Sequence, residues 1–182
     1  MAMPSSLVGW LQALRHKSGE LRLGMYSAAY AKFPETLLAQ HESSAKLQVA
    51  PPRYVLRWPE VTVTFELVAA EALPRHLEEL VGRVRRVYAG EPDRRGQALI
   101  SHLQHVRMGV QATVTPEIDP AAHAVSALSF AMAATRSCVW LESVLLDSHG
   151  RLLLGPKKQF DPAANWETGT VAAGGKAWWR IW

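Results

Sequence analysis

Three acidic residues of this 182-residue chain lie where carboxylates could do chemistry, close to the ends of predicted strands. Glu117 follows a predicted strand over 108–115, Glu142 interrupts a second strand over 138–146, and Asp147 follows that second strand. Carboxylates that converge at one end of a sheet can bind the metal ions of hydrolases and nucleases. These three residues are therefore the candidate catalytic groups of a metal-dependent hydrolase or nuclease.

The same acidic residues can be explained by structural roles that need no catalytic activity. Metal-dependent nucleases usually carry a lysine two residues after a strand acid, and Val144 occupies that position after Glu142. Asp147 begins an Asp-Ser-His-Gly sequence, which is typical of a turn. The sequence therefore favours a protein that is not an enzyme, and the carboxylate site stays the alternative.

A pair of histidines has a spacing that could serve a metal ion. His102 and His105 are three residues apart on a predicted helix, so they could share one face. No carboxylate at helical spacing and no cysteine accompanies them. We interpret both as residues on the flank of a helix, and we expect neither a metal ion nor another cofactor.

Arginine side chains are concentrated on two consecutive predicted helices, and the chain carries a net charge of +4. The candidate contacts to nucleic acid are Arg83, Arg86, Arg94 and Arg95. Acidic residues are interleaved with them, and no aromatic platform of the kind used by single-strand binders accompanies them in the sequence. The sequence therefore favours a solvated helix surface, with nucleic-acid binding as the alternative.

A tryptophan-rich segment, WWRIW, ends the sequence. In an extended strand Trp178 and Trp182 would share one face, and Trp179 would lie on the other. Exposed aromatic patches mark interaction sites. We expect these three residues to be buried on the home domain first and in a homodimer or against a protein partner second.

The hydrophobic pattern predicts the elements that would position these residues. Apolar residues that recur about every 3.6 residues predict helices over 74–89, 93–106 and 120–135. Apolar and polar residues that alternate around Pro59 predict an antiparallel hairpin. We expect an α+β fold, a two-layer sandwich in which a mixed β-sheet has helices mainly on one face. A right-handed crossover through the third helix would make strands 108–115 and 138–146 parallel.

The same pattern predicts three regions along the chain. Residues 1–17 form an N-terminal helix packed on the domain edge, with Leu7, Trp10 and Leu11 on its apolar face. Residues 18–156 form the single α+β domain. Residues 157–182 form a loop-rich extension with the Trp-rich end.

Composition narrows the class of protein. No run of about 18 apolar residues is present, so we expect no membrane association, and the N-terminus lacks the features of a secretory signal. Arginine outnumbers lysine 14 to 6, which is typical of a GC-rich bacterial genome. The single cysteine, Cys138, is interpreted as a small buried hydrophobe. We therefore expect a bacterial, cytoplasmic, non-catalytic protein-interaction domain, of adaptor or inhibitor type, whose partner is another protein or a second copy.

Overall fold

The computed structural model of the protein describes residues 4–13, 20–90, 93–115 and 122–164. The helices within these ranges are α1 (Leu7–Ala13), α2 (Glu35–His41), α3 (Leu73–Val87), α4 (Arg94–Gln104) and α5 (Ala122–Thr135). The strands are β1 (Leu21–Ser27), β2 (Lys46–Ala50), β3 (Arg53–Arg57), β4 (Thr62–Leu67), β5 (Met108–Thr115), β6 (Cys138–Leu141), β7 (Val144–Leu146) and β8 (Leu152–Leu154).

One eight-stranded sheet organises the fold, in the order β2-β3-β4-β5-β1-β6-β7-β8. The α+β class is confirmed, and so is the hairpin, which β3 and β4 form. The expected mixed sheet is corrected, because every neighbouring pair is antiparallel. Strands β5 and β6 do run in the same direction, since both are antiparallel to β1. They are not neighbours, because β1 lies between them.

Helices cover both faces of this sheet, so the expected helix layer on one face is not confirmed. Successive side chains of a strand point to opposite faces. On β1, Met25 belongs to a core cluster with Leu128 of α5, whereas Tyr26 belongs to a second cluster with Val84 of α3 and Leu99 of α4. Helices α3 and α4 therefore pack on the face opposite to α5.

The predicted long strand over 138–146 is wrong in one respect: it is a tight hairpin. Leu141 pairs with Val144, and Glu142 and Ser143 form the connection between β6 and β7. Glu142 adopts a φ of 49°, a left-handed conformation that reverses the chain. Apolar residues lie on both sides of this turn, so the pattern looks the same for one interrupted strand as for two strands joined by a turn.

Helix α5 is a largely apolar helix, and its burial follows from its composition. Alanine occupies much of its surface, and Ala124, Ala127, Leu128, Ala131 and Met132 are all buried. Small side chains allow the helix to approach the sheet closely. The helix predicted over 120–135 is confirmed in the described residues as α5, and it is buried.

The turn between β7 and β8 packs against the start of α1. Asp147 Oδ1 accepts hydrogen bonds from the backbone N–H groups of His149 and Arg151, both at 2.9 Å. Gly150 has a φ of 81°, and a Cβ placed on it would lie 2.8 Å from the carbonyl carbon of Ser6 and closer still to the backbone nitrogen of Leu7. Only glycine therefore allows this approach.

The division of the chain at 17 and 156 stays a prediction.

Cys138 is a buried thiol at the start of β6. Burial raises its pKa to about 12, so at pH 8 only about 10⁻⁴ of the thiol is ionised. We expect no reaction with a thiol reagent such as dithionitrobenzoate in the native state, and complete reaction in denaturant. Absorbance of the released product measures both rates. Fast labelling without denaturant would contradict the burial of this residue.

Candidate functional site

The candidate carboxylates of the sequence do not converge where the structure describes them. Glu142 is exposed in the β6–β7 turn, whereas Asp147 is buried beyond the other end of β7. The Asp147 carboxylate is engaged by backbone N–H groups, as expected for a turn-forming aspartate. Glu117 lies outside the described residues.

The two candidate histidines have different surroundings. His102 lies on the buried side of α4 and is 3% exposed, and neither of its ring nitrogens has a hydrogen-bond partner. Burial lowers its pKa to about 4. His105 is exposed, and its Nδ1 lies 2.7 Å from the carbonyl oxygen of Ser101. Among the described residues, no group of three or more side chains is arranged to hold a metal ion.

The four candidate arginines differ in their surroundings. Arg95 is half-buried; its guanidinium donates to the carbonyl oxygen of Leu153 at 3.3 Å and lies 3.9 Å from the ring centroid of Phe160. Arg86 and Arg94 are exposed. Arg83 is also exposed, and its guanidinium lies 5.0 Å from the centroid of the Trp140 ring. Arg83 is therefore the one of the four that meets an aromatic side chain beside a cavity.

That cavity is a cleft of about 240 Å³ between α3 and the sheet, which we call the α3 cleft. Its walls come from α3 on one side and from β1, β5 and β6 on the other. The lining residues are Gly24, Tyr26, His76, Glu79, Leu80, Arg83, Gln111 and Trp140.

Register explains how residues distant in sequence meet in the α3 cleft. Gly24 pairs with Gln111 of β5 on one side and with Trp140 of β6 on the other. A Cβ on Gly24 would lie 2.8 Å from the hydroxyl oxygen of Tyr26, so the missing side chain leaves room for the tyrosine. Glycine within a strand often marks such a close approach.

Hydrogen-bond donors predominate in the cleft. Gln111 Nε2 donates to the Tyr26 hydroxyl at 3.3 Å. Burial is the largest influence on Tyr26 and raises the pKa of its hydroxyl, which the bond from Gln111 opposes. The acid of the lining, Glu79, lies 3.7 Å from the Arg75 guanidinium on the same helix. The arrangement can therefore accept a group that supplies hydrogen-bond acceptors.

Beside the cleft, the sheet face is open and polar. Two Thr-Val-Thr sequences pair across β4 and β5 and form a threonine patch: Thr62, Thr64, Thr113 and Thr115. Arg57 pairs with Thr62 on one side of the patch, and Arg22 pairs with Thr113 on the other. The four threonines are half-buried or exposed. This patch continues the face on which Gly24 and Gln111 lie.

A second polar cluster lies on the opposite face of the sheet, between α2 and α5. His41 Nε2 is 3.1 Å from the Ser126 hydroxyl and 3.5 Å from Oε1 of the buried Glu42. A catalytic triad needs the acid on Nδ1, the nitrogen that does not face the serine. Because both groups contact the same nitrogen, this geometry does not activate Ser126.

Sequence reasoning found Arg83 and missed most of the residues around it. Tyr26, His76, Gln111 and Trp140 belong to four different elements, and no local motif links them. The one available signal was Gly24, a glycine inside an otherwise apolar strand. Trp178, Trp179 and Trp182, the candidate interaction residues, lie outside the described residues.

Comparison of the chain with protein-family models, with curated proteins and with solved structures gave no match. Within the described ranges, none of the helices has both the length and the apolar character needed to cross a bilayer. Among the described residues, the α3 cleft is the candidate functional site.

Proposed function

We propose that the chain is a non-catalytic protein-interaction domain, of adaptor or inhibitor type, that holds one side chain of its partner in the α3 cleft. The observation that carries this proposal is the Arg83 guanidinium over the Trp140 ring, 5.0 Å from its centroid. Arginine and tryptophan are enriched among the few residues that supply most of the binding energy of protein interfaces.

The size of the cleft also supports a protein partner. Sites for drug-sized small molecules have volumes of roughly 300–1,000 Å³. The α3 cleft, at about 240 Å³, has room for one side chain and a short length of backbone. An anchor side chain in such a cleft, with further contacts on the open sheet face beside it, is a common form of protein recognition.

The proposal extends to setting and partner. We place the protein in the bacterial cytoplasm, which the arginine-rich composition and the buried free thiol of Cys138 support. The partner is a different protein or a second copy of this chain. Light scattering of the purified chain distinguishes a monomer from a homodimer.

A random peptide library displayed on phage tests the proposed function. We expect peptides selected on the wild-type chain to bind the Arg83→Ala variant about tenfold more weakly, a loss of about 1.4 kcal/mol. Arg85→Ala is the matched control, because Arg85 is also exposed on α3 and does not line the cleft. Fluorescence anisotropy of labelled peptides measures both affinities.

Two outcomes contradict the proposed function. The first is a library in which no peptide is enriched on the wild-type chain. The second is an equal loss of affinity in the Arg83→Ala and Arg85→Ala variants, because the α3 cleft would then contribute nothing beyond the charge of the helix.

A further inference from the structure

We propose that the α3 cleft selects a carboxylate, the side chain of an aspartate or glutamate in an extended segment of the partner. This inference rests on the proposed function and names the chemistry that the cleft recognises. The groups that carry it are Arg83, Tyr26 and Gln111, which come from α3, β1 and β5 and line one cleft.

Charge is the first argument. Arg83 lines the cleft and its guanidinium lies over the Trp140 ring, and because the residue is exposed a ligand can reach it. Glu79, the acid of the described lining, has Arg75 at 3.7 Å on the same helix. A carboxylate in the cleft would therefore lie beside the positive charge of Arg83 and could pair with it. Arginine pairs with carboxylates in a planar, two-bonded geometry that lysine does not provide.

The direction of the hydrogen bonds is the second argument. The Tyr26 hydroxyl accepts a bond from Gln111 Nε2, so its own hydrogen remains to be donated. Burial keeps the hydroxyl protonated by raising its pKa. The cleft therefore offers a hydroxyl donor besides Arg83. A carboxylate has only acceptors when ionised, and it can satisfy both donors at once.

The open sheet face supplies the path for the rest of the segment. The threonine patch lies on the same face, starting two residues along β5 from Gln111. Threonine hydroxyls both donate and accept, so they tolerate many neighbouring side chains. Selectivity is therefore expected from the cleft and general affinity from the patch.

The test compares two peptides that differ in one group, acetyl-Thr-Glu-Thr-amide and acetyl-Thr-Gln-Thr-amide. Each is titrated into the full ¹⁵N-labelled chain, and the NMR signals of the Trp140 indole and the Gln111 side-chain amide are followed. We expect the glutamate peptide to bind about tenfold more tightly than its glutamine counterpart, as a charged hydrogen-bonded pair predicts.

Matched variants assign this preference to the cleft. Arg83→Gln is expected to remove the preference for glutamate, whereas Arg85→Gln is expected to keep it. Tyr26→Phe retains the buried ring and should weaken only the glutamate peptide. If Tyr26→Phe alters the fold, its whole NMR spectrum will change, and the Arg83→Gln result then decides.

Several results would overturn the inference. They are equal affinities for the two peptides, equal effects of Arg83→Gln and Arg85→Gln, tighter binding of oligothymidylate at the same signals, or equal binding of sodium acetate. The oligothymidylate result would indicate a phosphate ligand, and the acetate result a small carboxylate without a peptide. If library peptides without acids bind and depend on Arg83, the proposed function stands and the carboxylate inference fails.

Discussion

Gly150→Ala is expected to lower the free energy of unfolding by about 3 kcal/mol, the upper end of the cost of forcing an extra carbon into a well-packed site. A methyl group at this position would collide with the backbone of Ser6 and Leu7, which cannot move aside as a flexible side chain can. The helix that begins there, α1, contributes buried Leu7, Trp10 and Leu11 to the large core. Its displacement should therefore expose Trp10 as well.

Gly90→Ala is the matched control for this variant. Gly90 also has a positive φ, 96°, but a Cβ on it would meet no atom within 4 Å. We expect a loss of about 1 kcal/mol there, from the left-handed conformation alone. Denaturant unfolding measures both variants, and acrylamide quenching reports the exposure of tryptophan. Equal losses in the two variants would contradict the packing of α1 against the β7–β8 turn.

His102→Leu is expected to remove a large part of the acid sensitivity of the protein. The unfolded chain protonates this histidine below its ordinary pKa of 6.5, whereas burial keeps the folded ring neutral down to about 4. As the pH falls through this window the unfolded state binds more protons, so the wild-type protein loses stability. The loss attributable to His102 is about 3 kcal/mol between pH 7 and pH 4.

Denaturant unfolding at both pH values measures this difference. Carboxylates also titrate between pH 7 and pH 4. The loss in free energy of unfolding over this range is therefore measured for the wild type and for His102→Leu, and the second value is subtracted from the first. His149→Gln serves as the control for replacing a histidine, because His149 is exposed in the β7–β8 turn. A His102→Leu variant with the same pH dependence as the wild type would rule out His102 as the source.

Local patterns in the sequence predicted individual elements well. The strand over 108–115 is β5, and the amphipathic stripe of 74–89 is α3 to within two residues at each end. These predictions depend on the spacing of apolar side chains, which a strand or helix needs wherever it packs. The turn at Glu142 was missed because two polar residues inside an apolar run fit an irregularity of one long strand as well as a turn between two strands.

Placement of the elements could not be predicted in the same way. A stripe on α3 shows that the helix buries one side, but it does not show which face of the sheet receives it. The α3 cleft depends on that choice and on the pairing of Gly24 with both Gln111 and Trp140. Those partners are far apart in sequence, so no local spacing reveals them.

The central position of β1 has a consequence for how the chain is made. Its partners on β5 follow it by 81 residues, for Ser27 and Met108, up to 93 residues, for Leu21 and Val114. Ribosomes add about 5–20 residues per second, so β1 waits several seconds for its first neighbour while the β2–β3–β4 meander can pair at once. Many pairings at such separation slow folding. During this interval an apolar strand is exposed beside the ribosome, where a chaperone that binds extended apolar segments would protect it.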